Sequence, residues 1–312
     1  MLNEIPMQHT LAHSVSCVGV ALHTGEKISM TLHPAPENTG IVFQRSDLKN
    51  QPNVVPASYK NVTKTTLGTT ITNAAGVSVS TIEHLMAALW GCGIDNARIE
   101  LDGAEVPIMD GSSEPFVFLI ECAGKTEQNA PRKMIEVLKT VSVTDGDKHA
   151  SISPAPYFGV SLEINFKSGA IATQQCVFSV EDASFKTDLS RARTFCFDHE
   201  VEQMRAAGLA RGGSLDNAIV VSGDKVLNKE GLRYKDEFVR HKVLDCIGDL
   251  YLAGGQLVGQ VSAARTGHGL NNKLLHALFS TEGAWRIAAP SDIIAMPMHS
   301  QEAPAAYTAV SA

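Results

Sequence analysis

The chain has 312 residues, 44% hydrophobic and 19% charged, which is enough apolar material for two domains of ordinary size. A formal net charge of −7 excludes a nucleic-acid binder, because neutralising phosphates takes lysine and arginine in excess. Six cysteines without Cys-x-x-Cys spacing exclude a disulfide framework and a cysteine zinc knuckle, and predict reduced thiols in a cytoplasmic protein.

Residues 1–20 hold no basic segment followed by an apolar one, so no signal peptide is read there. No later run approaches the roughly 20 apolar residues of a membrane span, and no integral membrane contact is expected. Residues 10–20 and 27–33 alternate apolar and polar side chains, which predicts strands. At 80–90 the period becomes helical, with Ile82, Leu85, Met86 and Leu89 on one stripe and Gly91 and Gly93 as the stop. A strand at 97–101, a turn at Asp110-Gly111 and a helix at 113–123 follow. Residues 124–133 are polar with Gly and Pro, and read as a linker. The second half repeats the order, with strands at 134–145, 148–153 and 158–166 and helices at 198–208, 236–253 and 271–281. This mixture predicts an α+β protein of two domains, 1–126 and 131–296, with a flexible tail at 297–312.

Three places bring ionisable residues to defined positions. Ser80 and Glu83 have capping-box spacing, so Glu83 reads as a helix cap as readily as a functional group, and His84 beside it decides nothing alone. In the helix at 236–253, Val239, Val243, Ile247 and Leu250 share one face. His241, Asp245 and Asp249, each four apart, share the other. Phe238 and Leu252 flank that polar stripe, so it is expected to face a cleft; a surface His–Asp pair is the alternative. His268 sits between Gly267 and Gly269 at a strand-to-helix junction, where its ring can project into a site, or be an ordinary loop residue. Together these residues offer two imidazoles and a carboxylate for a catalytic zinc with one position open, a glutamate beside a ligand as base, and a further histidine as acid.

The runs STIEHLMAAL around Glu83-His84, HKVLDCIGDL from His241 and TGHGLNNKLL around His268 resemble the UDP-3-O-acyl-N-acetylglucosamine deacetylases. These are zinc amide hydrolases at the committed step of lipid A synthesis in Gram-negative bacteria. Also similar are SCVGVALHTGE at 16–26, VPIMDGSSEPF at 106–116, SRARTF at 190–195 and GLARGGSLDNAIV at 208–220, so the likeness runs from about residue 10 to 294. The resemblance implies zinc on His84, His241 and Asp245, with iron(II) an alternative for the same donors. It implies Glu83 as general base, His268 as the acid supported by Asp249, Thr194 at the oxyanion, and Lys242 near the reacting centre. The implied fold is two similar two-layer sheet-and-helix domains, each with a small insert, meeting at the active site. The second insert, at about 195–221, would form an apolar passage for the acyl chain, with Phe195, Gly213, Ser214 and Val220 meeting substrate alongside Leu22 and His23. Phe166 stands where the family stacks the uracil, and Arg265 where it meets phosphate; Lys167-Ser168-Gly169 replace the His-Pro that often follows that aromatic.

The substrate so implied is a small acylated UDP-amino-sugar, and nucleic acid is not a partner. Two other readings are a zinc amidase for peptides or simple acetyl-sugars, and a binding module that has kept the fold without the chemistry. The tail, with Ala303-Pro304-Ala305-Ala306 and a small apolar end, is a candidate handle for a regulatory protease, or a frayed terminus.

Overall fold

In each half, alternating side chains place one row of apolar residues inward. Ile28, Met30 and Leu32 are buried in a strand and alternate with the less buried Ser29 and Thr31, and Val160, Leu162 and Ile164 alternate in the same way with the half-buried Ser161 and Glu163 in the second half. The structure, a computed structural model, describes residues 6–288. The first half runs β1 (Met7–Leu11), β2 (Val15–Val20), β3 (Lys27–Pro34), β4 (Ile41–Arg45), β5 (Val54–Pro56), β6 (Val62–Lys64), β7 (Thr70–Thr72) and β8 (Ser78–Val79). Helix α1 (Glu83–Cys92), β9 (Ala97–Leu101), α2 (Glu114–Ala123) and β10 (Lys125–Pro131) complete it. The second half runs β11 (Met134–Val137), β12 (Val141–Asp145), β13 (Lys148–Ser153), β14 (Gly159–Asn165), β15 (Thr173–Ser179), β16 (Phe195–Phe197), α3 (Asp198–Ala206), β17 (Ile219–Ser222) and β18 (Lys225–Val226). It ends with α4 (Glu237–Leu250), β19 (Gln256–Val258), β20 (Gln260–Ala264), α5 (His268–Ser280) and β21 (Trp285–Ile287).

The two halves share one topology. Strand order β2-β3-β9-β4-β5 in the first matches β12-β13-β20-β14-β15 in the second. In each, the central strand pairs antiparallel on one side and parallel on the other. Each half also inserts a three-stranded sheet just before its first long helix, β6-β7-β8 before α1 and β16-β17-β18 before α4. The α+β class and the paired sheet-and-helix domains are therefore as expected. The small sheet of the second half runs from Phe195 in β16 to Val226 in β18, which pairs with β17.

Helices α1 and α4 are buried on nearly every side. Each lies between its own sheet and the other half, so apolar residues surround it and the stripe of a surface helix is lost. Trp90 of α1 packs its ring on Phe158 and Phe178 of the second half, 5.3 and 6.1 Å between centroids, which gives the halves a common core. Where α1 meets α4 there is no room for a side chain: a Cβ on Gly248 would lie 2.1 Å from the Glu83 carbonyl oxygen. That glycine is what lets the two helices touch backbone to backbone.

Several expected elements come out differently. Residues 10–20 form two strands, because the chain turns at 12–14 and its amides there donate to Gly124 and Ala123. The expected linker is strand β10, paired antiparallel with β1; its side chains are polar because most face outward. Residues 134–145 divide into β11 and β12, which belong to different sheets. The expected tail, 297–312, and with it the proposed protease handle, lies outside the described residues.

Candidate active site

The capping-box reading of Ser80 and Glu83 fails for a local reason. Thr81 takes φ of 56° and donates its hydroxyl to buried Glu105, 3.0 Å, so the helix opens at Glu83 and no side chain caps it. Ser80 donates its hydroxyl to the Ala104 carbonyl instead, 3.2 Å. Glu83 and His84, freed from capping, point across the α1–α4 crossing and are 3% and 4% exposed. The polar stripe of α4 is buried as fully: His241, Asp245 and Asp249 meet α1 and α5 and not an open cleft.

His84, His241 and Asp245 bring one ligand atom each within 4.8 Å of one another. Both imidazole Nε2 atoms stand 3.4 Å from the same oxygen, Oδ1 of Asp245. That oxygen is buried and accepts no hydrogen bond, an uncompensated polar atom that a protein seldom tolerates. Its partner Oδ2 is satisfied by the Lys242 ammonium at 2.6 Å. The Nδ1 of His241 faces the Ala192 carbonyl at 3.0 Å; donating there leaves the Nε2 lone pair aimed at the cluster. Burial holds the His241 pKa down to about 3, so this ring is neutral at pH 7. Burial opposes ionisation of Asp245, yet the neighbouring His241 and Lys242 hold its carboxyl well below the usual carboxylate range. Two imidazoles, with that of His241 neutral, and a carboxylate with a free oxygen are the donor set of a divalent transition metal.

Beside the cluster lies a second group of titrating residues. Nε2 of His268, the first residue of α5, is 3.9 Å from Oε1 of Glu83. Its Nδ1 is held by Oδ2 of Asp249 at 2.8 Å. Burial disfavours the imidazolium, but the Asp249 and Glu83 carboxylates outweigh it and raise the His268 pKa to about 9. Burial pushes the Glu83 carboxyl up, with the two aspartates adding to the rise and His268 and His84 opposing it. Oε1 of Glu83 thus faces Nε2 of His268, a carboxyl and an imidazole whose pKa values are both raised.

The model of the LpxC family, UDP-3-O-acyl N-acetylglycosamine deacetylase, matches residues 8–280. The chain belongs to this deacetylase family. Its relatives include proteins named UDP-3-O-acyl-N-acetylglucosamine deacetylase from Phenylobacterium zucineum, 52% identical over 90% of this chain and 96% of the relative, and from Hahella chejuensis, 51% identical over 91% and 94%. A third, from Saccharophagus degradans with the same name, is 52% identical over 91% and 94%.

The structure divides the other predicted residues of this deacetylase into three groups. Thr194 lies just before β16, its amide bonded to the Gly111 carbonyl, and Phe195 packs on Phe238 with its ring 6.4 Å from that of His241. Phe166 joins this group through an edge contact with Phe195 and a tilted contact with Phe197. Leu22 and His23 form the second group with the loop of the insert: their carbonyls accept from the Gly212 and Arg211 amides, and Gly213 approaches the Leu22 side chain. Ser214 is tied to Asn217 and Val220 to Asn228, which shape that loop. Arg265 stands apart, its guanidinium paired with Asp147 at the surface, and no described contact joins it to the metal cluster. Two buried residues escaped notice in the sequence. Asn271, three positions after His268, donates to Oδ2 of Asp249 at 2.8 Å, and that helical spacing was a usable signal. Thr69 bonds both Glu83 and Asp249, and nothing near it in sequence marks it.

Proposed function

We propose that the protein hydrolyses the acetamide of UDP-3-O-acyl-N-acetylglucosamine to the free amine and acetate, the committed step of lipid A synthesis. The observation that carries the reading is the orphan Oδ1 of Asp245 between two imidazoles, beside a Glu83–His268 pair, in a chain of this deacetylase family. His84, His241 and Asp245 would hold zinc, and iron(II) suits the same donors. A metal bound there supplies a Lewis acid for the acetamide carbonyl and a more acidic water.

The chain's own groups do the rest. Glu83, its carboxyl raised by burial, accepts a proton from the attacking water through Oε1. Thr194 donates to the developing oxyanion. Lys242 sets the charge of Asp245 through its 2.6 Å contact. His268, held charged by Asp249, gives its Nε2 proton to the sugar nitrogen as the C–N bond breaks. Phe195 and the insert loop, with Val220, Gly213, Ser214, Leu22 and His23, take the acyl chain; Phe166 and Arg265 take the nucleotide. The domains proposed with this reading are 1–126 and 131–296, with β10 (Lys125–Pro131) spanning the boundary between them. No described helix is long and apolar enough to cross a membrane, and all six cysteines are free thiols, which suits the cytoplasmic location proposed.

The test is acetate release from the purified, metal-loaded protein. Stoichiometric acetate from the acylated UDP-sugar, abolished in Glu83→Gln, supports the reading. No release, or equal release from simple N-acetylglucosamine or an acetylated peptide, contradicts it.

A further inference from the structure

Glu83 belongs to α1 of the first half and Asp249 to α4 of the second, so their relative placement depends on whatever joins the halves at the site. The segment 67–69, between β6 and β7 of the first insert, touches both. Thr69 is 2% exposed. Its amide donates to Oε2 of Glu83 at 2.9 Å, and its hydroxyl donates to Oδ1 of Asp249 at 2.5 Å. The chain reaches this position through Leu67 at φ of 58° and Gly68 at φ of 154°, two successive residues in the region that favours glycine. His23 faces the Leu67 carbonyl with its Nε2, 3.2 Å away. A Cβ on Gly68 would lie 3.0 Å from Oε1 of Glu83, so glycine leaves that oxygen uncovered.

The bonding around each carboxylate is complementary. Oδ2 of Asp249 is occupied by His268 and Asn271, and the Asn271 amide is itself oriented by the Thr266 hydroxyl at 2.7 Å. Oδ1 is left to Thr69. At Glu83, Oε2 is taken by the Thr69 amide, while Oε1 faces His268. We propose that Thr69 is a positioning residue that locks the Glu83 carboxylate and the Asp249–His268 pair into one frame. By occupying Oε2 it assigns proton abstraction to Oε1. This inference rests on the deacetylase reading above. It adds that the first insert, and not only α1 and α4, sets the geometry of the base and the acid. The side-chain hydroxyl of Thr69 bonds Asp249 and none of the proposed ligands, so its loss is expected to act on turnover and to spare both metal and substrate binding.

The test compares Thr69→Val, which removes the hydroxyl at equal bulk, with Thr69→Ala and Thr69→Ser in the full-length, metal-loaded enzyme. Losing a hydrogen bond to a buried carboxylate predicts a fall in kcat of about 10- to 100-fold for Val and Ala. KM should stay within about twofold and metal content at the wild-type level, and Ser should restore most of the turnover. Wild-type kcat in both Val and Ala overturns the inference. So does a loss of kcat accompanied by lost metal or a proportionate rise in KM, or a Ser variant as slow as Val. Ala is measured beside Val so that a folding defect of one variant alone does not decide the result. Wild-type turnover is recorded in the same assay: a silent wild-type enzyme refutes the deacetylase reading, whereas an active one with undiminished Val and Ala variants refutes only the role of Thr69.

Discussion

Replacing Gly248 by Ala puts the α1–α4 crossing to the test. The new methyl carbon would lie 2.1 Å from the Glu83 carbonyl oxygen and 3.1 Å from the Ala87 amide nitrogen, both backbone atoms that cannot rotate away. Real Cβ contacts below 3.0 Å essentially do not occur, so the two helices must part by roughly 1 Å. Alanine is the better helix former by about 1 kcal/mol, but overpacking a tight core costs about 1–3 kcal/mol, so net destabilisation is expected. At about 2–4 °C per kcal/mol for a chain of 150–250 residues, that is a loss of a few degrees in melting temperature. The larger effect is at the site. Glu83 and His84 ride on α1 while Asp245 and Asp249 ride on α4, and a misplacement of about 1 Å costs on the order of 100-fold in rate. Thermal melts, metal affinity by chelator competition and kcat are the assays. A folded Gly248→Ala enzyme with wild-type metal affinity and wild-type kcat would refute the reasoning that backbone contact at this crossing aligns the site.

Further outcomes follow from the same geometry. Glu83→Gln keeps the fold and the metal but lowers kcat by about two to four decades; a change below threefold at full metal content would remove Glu83 from the base role. In metal-free protein, NMR titration should find His268 charged up to about pH 9, and Asp249→Asn should return it toward 6.5; an unmoved titration would break the Asp249–His268 link. Because the folded pKa of His268 is raised, its stabilisation is full below 6.5 and is lost as pH climbs through 9. Unfolding free energy of the metal-free wild type should therefore fall across that window more than in Asp249→Asn. Shortening the 3-O-acyl chain should weaken kcat/KM by up to about 0.8 kcal/mol per buried methylene, and an enzyme indifferent to chain length has no acyl passage.

Much of this was readable from residue order, and the failures share a cause. The helices at α1, α2, α4 and α5 and the central strands β3, β9, β13 and β14 carry clear periodicity, so local pattern found them. Strands of two or three residues, such as β8, β16 and β18, exist only because a distant partner pairs with them, and no local window records that. Strand β10 looks like a linker because it faces solvent on a two-stranded ribbon. In the site, the i, i+4 spacing on α4 placed His241, Asp245 and Asp249 together without showing what they meet. That His84 joins them, and that Thr69 bridges to Asp249 across 180 residues, are facts of tertiary packing. The capping-box spacing of Ser80 and Glu83 misled because the left-handed turn at Thr81 follows from its bond to Glu105, again a nonlocal partner.

The account turns most directly on what binds between His84, His241 and Asp245. Diffraction data from crystals of the metal-loaded protein, collected on either side of the zinc absorption edge, would locate the ion. The prediction is one anomalous peak bonded to both Nε2 atoms and to Oδ1 of Asp245, the oxygen that accepts no hydrogen bond. An active, metal-replete enzyme whose only peak lies elsewhere, or whose three side chains point apart, would contradict it.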